Sequence, residues 1–271
     1  MTVRIEKSGS VWTIVHDRPE ARNAMDPASA DALTAAFLEF DADKSAAVAV
    51  FYGAGGAFCA GWDLKYVSTL EEEYTLAELD IPVAGPRNNG GEIPRGPLGP
   101  SRLELDKPVI AAIEGPAVAG GMELGLWCDF RVMAKDSYFG VYCRRWGVPL
   151  IDGGTVRLPR IVGQGRALEI ILTGRKVPAE ECLTIGLCEY VTPKGKAREK
   201  AEELAHEIAR FPQVCARADR RSAIRSYGLG VRDALIQEWY NGREALIKDG
   251  VAGAGRFKDG MGRHGDFEKI R

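Results

Sequence analysis

Histidine is scarce in this chain, with only His16, His206 and His264 in 271 residues. Their wide separation leaves no pair at the spacing of a zinc helix, and a His-dependent triad or a metal centre is not expected. Other signatures are missing too. There is no Gly-Lys-Ser/Thr end of a phosphate loop, no Gly-x-Ser-x-Gly elbow and no Cys-x-x-Cys pair among the six cysteines, several of which sit in apolar runs as small hydrophobes. No uninterrupted apolar stretch is long enough to cross a bilayer, and Met1-Thr2-Val3-Arg4-Ile5-Glu6-Lys7 lacks the apolar run of a signal peptide. A formal net charge of −2 and a pI near 6.0 provide no basic field for nucleic acid. Together these absences point to a soluble cytoplasmic protein with no nucleic-acid or membrane partner.

What is present is an α/β pattern. Val3–Lys7 and Val11–His16 read as a hairpin around Ser8-Gly9-Ser10, and Asp26-Pro27 as the cap of a helix. That helix has its apolar stripe at Leu33, Ala36, Phe37 and Phe40, and Ala46–Tyr52 is a continuous apolar run suited to a strand covered on both faces. A glycine-rich turn, Gly53–Asp63, follows at once. It is not a dinucleotide fingerprint, because Phe58 stands where the last glycine belongs. The same rhythm returns when Pro108–Ile113 leads into Gly120-Gly121 and a helix, with Phe130–Ala134 as the next strand.

The second turn, Ala117-Val118-Ala119-Gly120-Gly121-Met122-Glu123-Leu124-Gly125, brings adjacent glycines and a carboxylate to a helix start. The first amides of a helix have no carbonyl partner and carry the positive end of its dipole, so they suit an oxygen that gains negative charge. The alternative is a helix packed tightly on a strand, with Glu123 an ordinary surface acid. Between the two units, Glu71–Pro100 has an acidic run at Glu71-Glu72-Glu73 and prolines at 82, 86, 94, 97 and 100, which reads as a long loop serving as a lid, a binding segment or a plain insertion. From Gly165 onward helices are predicted over 167–173, 179–186, 196–210, 213–226 and 231–249, with one strand at 189–191.

Three segments carry a resemblance: Arg18-Pro19-Glu20-Ala21-Arg22-Asn23-Ala24-Met25, Ala57–Lys65 and Ala119–Leu124. Together they resemble the crotonase family, whose best-known members are enoyl-CoA hydratases. The likeness continues through Phe139-Gly140, Gly153–Leu158, Leu172–Arg175 and Gly186-Leu187 and covers nearly the whole chain. It implies a spiral of ββα units over residues 1–195, a helical region over 196–271 used for trimers or hexamers, and an acyl-CoA substrate whose coenzyme A is part of the substrate, with no separate cofactor or metal. It further implies an oxyanion hole from the amides of Ala60 and Gly120, and a CoA site lined by Arg22, Ala24, Ala60, Gly61, Asp63 and Leu64. From the residues alone, Arg22 is equally a solvated loop cation and Asp63 a helix N-cap.

The acids distinguish this chain. Hydratases of the family use two glutamates; Glu123 matches the first, while Cys143 stands at the second. A thiol with a pKa near 8.5 replaces a carboxylate poorly unless Arg144 or Arg145 lowers it. Asp152 lies close to where some family isomerases carry a functional aspartate, and if buried it needs a partner such as Arg144, Arg145 or Arg157. Trp146 is expected in the pocket wall or core, and Trp62, Trp146 and the proline-rich insertion are expected to shape the choice of acyl chain. Hydration of a trans-2-enoyl-CoA with Glu123 as acid/base is the expected reaction; isomerisation and acyl-CoA binding with little turnover are the alternatives. Leu235, Trp239, Tyr240 and Leu246 form either a subunit interface or a second core layer.

Overall fold

The computed structural model describes residues 2–70, 73–82 and 93–262. Glu71, Glu72, Pro86 and His264, named above, lie outside them. Strands β1 (Val3–Ser8) and β2 (Val11–His16) form the expected antiparallel hairpin, with Val3 opposite His16. Helix α1 (Pro27–Ala42) begins where Asp26 accepts the Ser29 amide at 2.8 Å, and all four stripe residues are buried. Then come β3 (Val48–Gly53), the single turn α2 (Leu64–Val67), β4 (Val109–Ile113), β5 (Pro116–Val118), α3 (Gly120–Trp127), β6 (Phe130–Ala134) and β7 (Tyr138–Gly140). The rest is α4 (Gly154–Val162), α5 (Gln164–Thr173), β8 (Lys176–Pro178), α6 (Ala179–Thr184), β9 (Tyr190–Thr192), α7 (Ala197–Ala209), α8 (Gln213–Arg225), α9 (Val231–Ala245) and α10 (Val251–Lys258).

A six-stranded sheet in the order β1-β2-β3-β4-β6-β9 is parallel from β2 onward, and a smaller sheet β5-β7-β8 lies beside it. The alternation of strand side chains divides the interior in two. Ala49, Phe51, Ala111 and Ile113 join Trp12, Phe37, Phe40 and Phe139 in the larger core, while Val48, Val50, Ile110 and Ala112 face the other way. There Ala197, Ala201, Leu204 and Ala205 of α7 cover them, with small residues at i, i+4 and i+8 allowing the helix close to the sheet. This is why the strands read as unbroken apolar runs.

Helix α4 was not anticipated; it starts at Gly154 behind a left-handed Gly153 and buries Leu158, with Pro159 inside it. Residue 196, expected as the start of the helical region, immediately precedes α7, which packs on the sheet; α8 follows and reaches the core through Arg217 on the Ala46 carbonyl and Arg220 on Asp129. Leu235, Trp239, Tyr240 and Leu246 are exposed and do not form a second core layer within the chain. No helix among the described residues is long and apolar enough to cross a membrane.

Candidate active site

The two glycine-rich turns meet. Cys59 bridges to Ala117, and the Val118 amide donates to the Cys59 carbonyl at 3.0 Å, so the first turn lies along β5 as it leads into α3. The buried Asn23 side chain holds that turn by donating to the carbonyls of Ala54 (2.8 Å) and Ala57 (2.7 Å). Glycine is required at the crossing. Gly61 has φ +92°, and a Cβ there would sit 3.0 Å from the Gly120 nitrogen; a Cβ on Gly121 would run into the Cys59 carbonyl oxygen. Ala119, at φ 54° and ψ −125°, precedes the helix in a strained conformation that costs roughly 1–3 kcal/mol and is held by its amide on the Gly140 carbonyl at 2.8 Å.

Accounting for the amides corrects one expectation. The Ala60 N–H donates to the Arg22 carbonyl at 3.1 Å, so it is already engaged and is not the free oxyanion donor that the resemblance implied. One peptide further on, Met25 N–H donates to the Gly61 carbonyl and Asp63 N–H to the Met25 carbonyl, both at 2.8 Å. These bonds bracket Trp62, whose own N–H has no acceptor among the described residues. Gly120 is the first residue of α3, and its amide has no intrahelical acceptor. Trp62 and Gly120 line one cleft, of about 490 Å³ counted to its open mouth, together with Ala60, Leu64, Leu98, Glu123, Tyr142, Cys143, Trp146 and Asp152.

Both acids are in this cleft and both are buried, Glu123 to 2% and Asp152 to 1% exposure. The Glu123 Oε1 accepts the amides of Asp152 (2.9 Å) and Gly154 (2.8 Å), which leaves Oε2 for the cleft. Burial, and after it the nearby Asp152, push the Glu123 carboxyl up to about 7. Asp152 lacks the arginine salt bridge expected of it. Its Oδ1 accepts the Leu98 amide at 3.1 Å and the Ser101 hydroxyl, and Oδ2 is buried with no partner. Arg157 instead donates to the carbonyls of Asp152 (2.9 Å) and Ser101 (2.7 Å), bracing the backbone. Burial raises the Asp152 carboxyl above the ordinary aspartate range. Cys143 is also in the cleft, but burial and Glu123 raise its thiol, and Arg144 does not reverse this, so it is no base at neutral pH.

The other residues named from the sequence divide. Leu64 and Trp146 line the cleft; Arg22, Ala24, Gly61 and Asp63 do not. Asp63 caps α2 by accepting the Lys65 amide at 2.9 Å and pairs with Arg18 at 2.8 Å, while Arg22 supplies the carbonyl for Ala60 from a left-handed backbone at φ 51°. Sequence reasoning named Trp62 for acyl specificity but not for its amide, and missed Leu98, Ser101 and Tyr142. Trp62 is two residues past Ala60, and an unpaired amide cannot be read from a motif; Leu98 sits in the proline-rich loop and Ser101 directly after it, and their packing on Asp152 has no local signal. No cluster of His, Cys, Asp and Glu able to hold a metal occurs among the described residues.

Free amides facing buried carboxyls across one cleft define a site for acid–base chemistry beside a polarised carbonyl. Residues 6–81 and 100–236 match the enoyl-CoA hydratase/isomerase family, and the chain belongs to it. The enoyl-CoA hydratase EchA19 of Mycobacterium tuberculosis is 34% identical over 225 residues, spanning 80% of this chain and 78% of that protein. A carnitinyl-CoA dehydratase of Salmonella typhi is 36% identical over 212 residues, 76% of this chain and 74% of its own. The crystal structure of an enoyl-CoA hydratase from M. tuberculosis H37Rv superposes with a TM-score of 0.83 at 32% identity, covering 95% of this chain and 96% of the other. The crotonase-like fold and the hydratase-like family expected from the motifs are thus the ones found.

Proposed function

We propose that the protein adds water reversibly across the double bond of a trans-2-enoyl-CoA. The observation that carries this is the buried carboxyl pair, Glu123 and Asp152, beside the free amides of Trp62 and Gly120. The two N–H groups receive the thioester oxygen as an enolate forms, a contribution of roughly 3 kcal/mol for each such donor. Glu123, with a carboxyl near 7, takes a proton from water through Oε2 as the oxygen bonds to C3. Asp152, whose unpartnered Oδ2 is buried beside Glu123, delivers the proton to C2 in its protonated form, and the reverse reaction exchanges these roles.

Arg22, Ala24, Asp63 and Leu64 belong in this reading to the wall along which the CoA arm lies, with Asp63 acting through the Arg18 pair and the α2 cap. The apolar side chains left exposed on α8–α10, Trp239 and Leu246 among them, suit burial between subunits in a trimer or hexamer. Cytoplasmic residence fits the free cysteines, of which five are buried. Incubation with crotonyl-CoA tests the reaction: loss of the conjugated thioester and a product heavier by one water are expected, absent in Glu123→Gln. A product of unchanged mass from a 3-enoyl-CoA, with crotonyl-CoA untouched, would assign isomerisation instead.

A further inference from the structure

We propose that the acyl group taken by this cleft carries a planar, uncharged aromatic ring at C3, stacked on the indoles of Trp62 and Trp146. This rests on the hydration reading and names its substrate class. Trp62 comes from the glycine-rich turn after β3, and Trp146 ends the short 3-10 turn Tyr142–Trp146, closed by Gly147 in a left-handed conformation. Trp146 is 69% exposed although it lines the cleft, so its ring offers stacking surface that the chain itself leaves uncovered. Val148, Pro149 and Ile151 continue an apolar wall beside it, and buried Leu98 lies against Gly120.

An anionic acyl group is disfavoured: among the described residues no lysine or arginine lines the cleft, and such a group would meet the Glu123 carboxyl. The Tyr142 face is already taken, the Arg145 guanidinium lying 4.0 Å from that ring's centroid, which leaves the indoles as the rings to stack on. Two ring contacts of ordinary strength give roughly a tenfold preference over an alkyl group of similar size.

Because conjugation with the ring opposes hydration, the comparison is best made by dehydration. The α-proton of 3-hydroxy-3-phenylpropanoyl-CoA goes to one carboxyl, the C3–O bond breaks, and the hydroxyl leaves as water with a proton from the other, giving cinnamoyl-CoA. Trp146→Ala is expected to lower dehydration kcat/KM for this substrate about tenfold relative to that for 3-hydroxyhexanoyl-CoA, and Trp146→Phe to restore most of that ratio. Binding of unreactive 3-phenylpropanoyl-CoA and hexanoyl-CoA, followed by calorimetry, should show the same preference without turnover. Equal constants for the two acyl groups, or better use of a 4-trimethylammonio substrate, would overturn the proposal while crotonyl-CoA turnover left the hydration reading standing. Tighter aryl binding with no turnover of any substrate would do the reverse.

Discussion

The two walls of the cleft are built in opposite ways. One is backbone: the Gly53–Asp63 turn and the start of α3 cross so closely that only glycine fits at 61 and 121, and the crossing leaves the amides of Trp62 and Gly120 without acceptors among the described residues. The other is side chain: Glu123 and Asp152 are carried on separate segments, buried together, and held by amides and a serine hydroxyl in place of counter-ions. A wall of amides is unaffected by pH and depends on main-chain position. A wall of buried carboxyls pays in stability whenever it ionises, and its chemistry depends on that ionisation.

The largest expected effect tests the side-chain wall. Glu123→Gln keeps an acceptor for the Asp152 and Gly154 amides but removes the base, so kcat for crotonyl-CoA hydration should fall about 10³-fold with KM within about threefold. The same variant has a second consequence. Because the folded-state carboxyl lies near 7, above the ordinary glutamate value, its burial costs the fold nothing at low pH and destabilises it as pH rises through 7. Glu123→Gln should therefore be more stable than the parent by roughly 3 kcal/mol at pH 9 and match it at pH 4, as measured by urea denaturation.

The backbone wall responds to different changes. Gly121→Ala puts a methyl group into the Cys59 carbonyl and should cost about 2 kcal/mol at every pH, read from the same titrations. Trp62→Phe leaves the amide in place, and crotonyl-CoA kcat should change less than about threefold. A large loss there would mean that the indole, not the peptide N–H, carries the effect, and the contrast between the walls would fail.

How much of this was legible beforehand follows the same division. The glycine pattern announced the turns, the helix starting at Gly120 and the acid at Glu123, because close backbone approach leaves a local mark in residue type. The α1 cap at Asp26 and its buried stripe were legible for the same reason, as were the strands covered on both faces. Which amide of the first turn stays free was not, since it depends on Arg22 and Met25 reaching across from another segment. Nor was the setting of Asp152, which is decided by Leu98 and Ser101, about fifty residues away in the chain. Helix α4 was missed because it is held by tertiary burial of Leu158 with a proline inside it, which local residue type does not signal.

The central claim is that Asp152, and not Cys143, completes the acid–base pair with Glu123. Steady-state hydration of crotonyl-CoA by Asp152→Asn and Cys143→Ala, compared side by side, tests it most directly. The account predicts a loss of about 10²-fold in kcat for Asp152→Asn and a change within about threefold for Cys143→Ala. A crippled Cys143→Ala beside a nearly normal Asp152→Asn would contradict it.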